Sequence, residues 1–262
     1  MASEYTESDS GVAISLKPEV LGHLGPLPVT NSFLFSLVIM VGLVVTFAIG
    51  ARRLKAVPGK IQVLGEALVM GMYNFVLTTT GNNKRAANFI FPIFLTLFLF
   101  ILTSNLMGFL PGTTSIHYGE HHFFRPPTAD FGFIFSVTLL VFALIQLAGF
   151  YFSGIGYLKK FFDWSSPINF AIGLLELVGE LAKMMSLSFR LFGNIFAEEV
   201  LALVVLSLVP FIAPVPFSLI GFLVSIVQAF IYPILVLIYI TLALAHGSHS
   251  PTPEPSSALN TN

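Results

Sequence analysis

Cysteine is absent from the 262 residues, so neither disulfides nor thiolate metal sites are available. Charge is scarce as well. Asp, Glu, Lys and Arg together make 10% of the chain, against about 25% in soluble domains. No basic excess exists, since the formal net charge is −1, and a nucleic-acid partner is not expected. No internal repeat is visible, which argues against a transporter built from inverted repeats. The first ten residues hold Glu4, Glu7 and Asp9 but no basic residue, so the positive n-region of a cleavable signal is missing. The first apolar run ends on Arg52 and Arg53 and is read as a retained membrane anchor.

What the chain has in abundance is apolar surface. Hydrophobic residues make up 55% of it, 28 of them Phe, and the mean hydropathy is +0.88. Apolar runs close to 20 residues long match the thickness of a bilayer's hydrocarbon core. The fold class expected is therefore an all-α integral membrane protein. It should have about five transmembrane helices plus an interfacial helix or hairpin.

The predicted spans are 31–51, 88–110, 129–152, 168–209 and 217–246, together forming a membrane domain over 31–246. Residues 1–30, with Pro18, Pro26 and Pro28, read as an outer loop holding one short helix. Residues 247–262, rich in Ser, Pro and Asn, read as a disordered tail. Segment 61–80 is apolar but weakened by Gln62, Glu66, Asn74 and three threonines. Basic residues flank it on both sides: Arg52, Arg53, Lys55 and Lys60 before, Lys84 and Arg85 after. Those flanks would fall on opposite faces if the segment crossed, so it is placed along the inner surface. Lys159 and Lys160 join them inside, while Lys17 and Arg125 lie outside. The N-terminus is then outside and the C-terminus cytoplasmic. The last two spans exceed the hydrocarbon thickness at about 1.5 Å per residue. Joined by a short turn containing Pro210, Pro214 and Pro216, they suggest a tilted antiparallel hairpin.

The chemistry concentrates between Glu176 and Glu199. At about 100° per residue, positions 176, 180, 183, 190, 194 and 198 fall within an arc of roughly 80° on one helix. Glu199 lies off that arc. Along the axis Arg190 stands about 21 Å from Glu176 and about 12 Å from Glu198, between two acidic zones. Ionisable groups at membrane depth cost about 2.5–3.5 kcal/mol each on insertion scales, so each calls for a reason. Glu180 and Lys183, at i,i+3 spacing, fit either a buried ion pair that joins helices or side chains snorkelling to the inner interface. Arg190 has no acid three or four residues away in sequence. Its guanidinium stays charged at any relevant pH, so it cannot carry protons but can attract and release a partner's carboxylate. Glu198 and Glu199 are candidate proton carriers, or an exposed interfacial acid pair. On the last helix Gln228 is the most strongly polar side chain, sharing a face with Tyr232, and it could bond Arg190 across the hairpin or serve as ordinary interhelical glue. His117, Glu120, His121 and His122 fall in the outer segment 111–128, which has no helical pattern to present ligands together. A solvated loop is expected there rather than a metal site, and no cofactor is expected elsewhere.

The run from Ser188 to Glu199, with Arg190-Leu191-Phe192-Gly193-Asn194 at its centre, resembles the Arg-Leu-Phe-Gly-Asn signature of the F-type ATP synthase subunit a family. Val227-Gln228-Ala229-Phe230-Ile231 is similar to that family's last-helix motif. Ser104 to Gly108 and Pro127 to Asp130 are similar to its middle spans. The resemblance covers roughly 60–245. It implies a bacterial inner-membrane subunit that synthesises nothing itself. Its long hairpin packs against a rotating ring of c subunits, each bearing a carboxylate, and its other partners are the peripheral-stalk b subunits and the rest of the synthase. It also implies two half-channels opening to opposite sides. Arg190 would separate them and hold the passing carboxylate deprotonated. Asn194, Glu199 and Gln228 match positions lining the outer path, Asp130 an acid at the outer mouth, and Glu176 the acid of the inner path. One departure stands out: position 198 is commonly Gly in the family and is Glu here, while some members carry His or Glu near what is here Gly221. Glu198 is expected to supply the outer-channel group that Gly221 lacks. The competing expectation is a stand-alone ion channel or secondary transporter.

Overall fold

A computed structural model describes residues 20–24, 27–52, 55, 59–109, 117–118, 121–122, 126–154, 157, 161, 166–208 and 214–246. Lys17, Arg53, Glu120, Arg125, Lys159, Lys160, His249 and the tail 247–262 lie outside the described residues.

Among the described residues, six helices carry the fold: α1 (Asn31–Arg52), α2 (Lys60–Thr79), α3 (Lys84–Gly108), α4 (Phe131–Ser153), α5 (Pro167–Leu208) and α6 (Pro214–His246). Among the described residues, α1, α3, α4, α5 and α6 are long and apolar enough to cross a bilayer. The polar substitutions along α2 leave it out of that set, as its sequence predicts. This is the architecture of a multi-pass membrane protein.

Among the described residues, two small strand pairs accompany the helices. Residues 1–19, where the short helix expected before residue 30 could also fall, lie outside the described residues, while in the described part of that segment β1 (Val20–Leu24) pairs antiparallel with β2 (Leu27–Thr30). The reason is local: Pro28 has no N–H for a helix and pushes Leu27 before it into extended backbone. In the outer segment β3 (His117–Tyr118) pairs with β4 (His121–His122), setting His117 opposite His122. Among the described residues no group of three or more His, Asp or Glu is placed to hold a metal ion.

The described residues gather into two compact units. One draws on Met1–Val45, Phe100–Ile134 and Arg190–Gln228, the other on Thr46–Leu99, Phe135–Phe189 and Ala229–Asn262. In the second unit α2 and α3 form a helical hairpin. Gly81 (φ 66°) and Asn82 (φ 62°) reverse the chain through the left-handed region, which Gly enters freely and Asn more readily than most. The Asn82 N–H then reaches back to the Leu77 carbonyl at 2.9 Å, and the Asn83 side chain accepts from the Arg85 and Ala86 amides at 3.1 and 3.2 Å, capping α3. That cap explains why α3 starts at Lys84, before its apolar run begins. Across the hairpin Tyr73 donates to Asn88 Oδ1 at 2.8 Å and packs edge-on against Phe91.

The core of the second unit includes Val76, Ala87, Ile90, Ala148, Tyr232 and Ile240, all essentially inaccessible. The Tyr232 hydroxyl is kept there by a 3.0 Å hydrogen bond with Thr138, because a bare hydroxyl in an apolar setting would cost several kcal/mol. Elsewhere apolar side chains face outward. On α5, Phe189, Leu201, Val204, Leu206 and Leu208 are exposed and form an apolar flank open to lipid or to other proteins.

Candidate functional site

Helix α5 places its polar residues by periodicity alone, and the first unit shows what they meet. There α5 and α6 run antiparallel, side by side. Asn194 Nδ2 donates to Gln228 Oε1 at 3.0 Å. One turn further along α5, Glu198 Oε2 accepts from the Ser225 hydroxyl at 3.4 Å. Stepping forward on one helix and backward on the other is the register of an antiparallel pair. Gln228 thus finds its partner in Asn194, one turn beyond Arg190, which is the second of the two roles its sequence allows, interhelical hydrogen bonding. Gln228 is 2% exposed, and its Nε2 has no hydrogen-bond partner among the described residues. A buried amide with an unused donor is a place for an acceptor, whether a water or a carboxylate oxygen. Arg190 itself is half-buried.

Gly221 explains how Glu198 fits. The glycine lies directly against the Glu198 carboxyl, and a Cβ at 221 would collide with it. The carboxyl therefore occupies the space a side chain at 221 would need.

Beside this pair lies a cleft of about 230 Å³. Asn105, Thr128, Glu198, Glu199, Ser218 and Ser225 supply its polar lining, and Glu199 is exposed. Asn105 (α3) donates from Nδ2 to the Ser225 carbonyl at 3.1 Å, and Ser104 shares a hydrogen bond with Thr128 at 3.3 Å. Chemically this is a wettable recess with one half-buried carboxyl, Glu198, on its wall.

Asp130 has a plainer position. It is buried, 4% exposed, and its Oδ1 accepts from the Gly132 and Phe133 amides at 2.9 and 3.4 Å. It caps α4, where the helix dipole favours a negative charge. The remaining sequence-predicted residue, Glu176, belongs to the second unit and is half-buried. In that unit, four residues on, Glu180 and Lys183 form the anticipated ion pair at 3.1 Å. Glu180 is buried, and the Lys183 ammonium also sits 5.7 Å from the centre of the Tyr239 ring, a cation–π distance.

Two participants were missed in the sequence. Ser225 lies three residues before Gln228, on the same face of α6, and that spacing was the available signal. Asn105 was noted only as part of a motif, although an asparagine within an apolar span already asks for a partner.

The family described as ATP synthase A chain matches residues 33–241. Among the chain's relatives is the ATP synthase subunit a of Citrifermentans bemidjiense, 36% identical over 220 residues, covering 83% of this chain and 89% of that protein. The subunit a of Trichlorobacter lovleyi is 34% identical over 230 residues, 87% and 92% of the two chains. That of Geobacter sulfurreducens is 35% identical over 213 residues, 80% and 86% of the two.

Proposed function

The chain belongs to the ATP synthase A chain family, and from that premise we propose that it translocates protons as the stationary a subunit of an F-type ATP synthase. The observation that carries this reading is the antiparallel α5–α6 pair in the first unit. It sets Glu198 on the wall of a wettable cleft and the Asn194–Gln228 bond between that carboxyl and Arg190. The cleft is the outer half-channel. Protons enter it, reach Glu198, and pass toward the level of Arg190, about 12 Å along α5. Glu199 and Asp130 hold negative charge near the entrance, Asp130 from its place at the start of α4.

Glu176 serves the inner half-channel. The uncovered apolar flank of α5 meets the ring of c subunits, whose carboxylates collect a proton from the outer path and release it to the inner one. Arg190 keeps the two paths apart: a fixed positive charge opposes a proton crossing without the ring turning and draws each arriving carboxylate into its ionised form. A unit charge falling through 100 mV yields about 2.3 kcal/mol, which drives rotation only if no such leak exists. The subunit performs no chemistry on nucleotides. It lies in a bacterial inner membrane beside the peripheral-stalk b subunits, N-terminus outside and C-terminus cytoplasmic.

The test is Arg190→Ala in the assembled complex in inverted membrane vesicles. ATP-driven acidification is expected to vanish while the complex stays assembled. Acidification at the parental rate would overturn the reading.

A further inference from the structure

We infer that Ser225 and Asn105 act together as positioning residues for Glu198, fixing which way its carboxyl faces in the cleft. The inference deepens the reading above and rests on it.

Three helices contribute one link each. On α5, Glu198 offers a carboxylate with no basic partner among its recorded contacts in the first unit: its Oε2 is held by the Ser225 hydroxyl of α6 at 3.4 Å. A serine hydroxyl inside a helix commonly turns back to a carbonyl of its own preceding turn, as Ser36, Ser207 and Thr241 do here. Ser225 points across to α5 instead. The backbone at that point is in turn tied to α3, since Asn105 Nδ2 donates to the Ser225 carbonyl at 3.1 Å. Ser225 is 3% exposed and Asn105 4%, so both donors are held within the protein at the wall of the cleft.

Asn105 also keeps an acceptor in reserve. Its Oδ1 is buried with no hydrogen-bond partner among the described residues, and Asn105 lines the same cleft as Glu198 and Ser225. A buried carbonyl oxygen left open beside a cleft of about 230 Å³ is suited to a water or hydronium. The step it serves is balanced simply. A hydronium in the cleft gives its proton to Glu198, the carboxylate becomes a carboxylic acid, and a water remains. Throughout, the Ser225 O–H points at Oε2, which leaves Oε1 to take the proton. The contact is long for O–H···O, as hydrogen bonds at reacting groups often are before the reacting complex forms. The other acidic groups near the cleft are Glu199, next along α5, and Asp130, whose Oδ1 is committed to its cap.

The experiment uses the intact synthase in inverted membrane vesicles, with ATP-driven acidification as readout and ATP hydrolysis confirming assembly. Ser225→Ala should slow acidification about fivefold, the loss of one weak charge-assisted bond. Ser225→Thr, which keeps the hydroxyl, should restore most of it. In a Glu198→Gln background, Ser225→Ala should add nothing, because there is no carboxylate left to orient. A purely structural serine would instead slow transport in both backgrounds. Should Ser225→Ala fail to assemble, Asn105→Ala is measured in the same way and is expected to slow transport about twofold in the parental background but not in the Glu198→Gln background, and an Asn105→Ala complex that pumps at the parental rate then overturns the inference. The inference is overturned if Glu198→Gln is defective while Ser225→Ala and Asn105→Ala pump normally, or if the effects of Ser225→Ala and Glu198→Gln add in full. If Glu198→Gln itself pumps normally, the assignment of Glu198 to the outer path has failed, a different result from the failure of its positioning.

Discussion

Adding one methyl group at Gly221 tests the outer path at its tightest point. An alanine Cβ at this position would stand 2.6 Å from Glu198 Cγ and closer still to the carboxyl. Carbon atoms prefer about 3.5–4.0 Å. The acid end of Glu198 would therefore have to retreat by roughly 1 Å or more. The side chain is flexible enough to do so, and the protein should still fold. The retreat has two costs. Leaving a good rotamer costs about 0.5–1.5 kcal/mol, and losing the Ser225 contact costs about 1 kcal/mol. Together they come to about 2 kcal/mol, which slows a proton transfer about 30-fold if it falls wholly on the barrier. In inverted vesicles carrying Gly221→Ala, ATP-driven acidification should drop toward that factor relative to ATP hydrolysis by the same vesicles. The paired exchange Glu198→Gly with Gly221→Glu returns a carboxyl to the same space and should recover a large part of the lost rate. A Gly221→Ala complex that pumps as fast as its parent would refute the claim that the Glu198 carboxyl occupies this space during transport.

The Glu180–Lys183 pair makes a prediction about stability. Lys183→Met takes the ion-pair partner from the buried Glu180 carboxylate and should destabilise the subunit by about 1–3 kcal/mol, whereas the double change Glu180→Gln with Lys183→Met should be milder; the temperature at which the purified complex releases this subunit measures both, and a double variant as unstable as the single one would contradict the argument. Gly149→Ala places a methyl 2.6 Å from the Tyr157 ring and must disturb the 2.8 Å bond from its hydroxyl to Gln146. About 1–3 kcal/mol of overpacking should lower the amount of subunit recovered in membranes, and Tyr157→Ala in the same chain should relieve it.

The helices were plain in the sequence because a bilayer imposes a length and a composition that few other structures share. The weak apolar segment after Lys60 was correctly set apart by Gln62, Glu66 and Asn74. The Glu180–Lys183 pair is one of the two arrangements that their spacing allows, and the departures at positions 198 and 221 single out those two residues without saying that they touch. Other features depended on which helix lies next to which. Periodicity puts Asn194 and Arg190 on one face of α5 but does not say which of them Gln228 will meet. Asp130 was noticed for its charge, although an aspartate just before the apolar run from Phe131 is also an N-cap signal. Ser225 was overlooked because an intrahelical serine usually satisfies itself. The strand pair before α1 escaped notice because its residues carry no alternation of polar and apolar positions.

The two links between α5 and α6 have a mechanical meaning. From Asn194 to Glu198 is four residues, and from Gln228 back to Ser225 is three; each step is close to one helical turn. The pair works like the marks of a vernier, coinciding at one setting only. Slipping either helix by a single residue would swing its side chains about 100° around the axis and break both links together. A one-residue slide of either helix is therefore opposed by both links at once, and the register of this unit is keyed rather than adjustable.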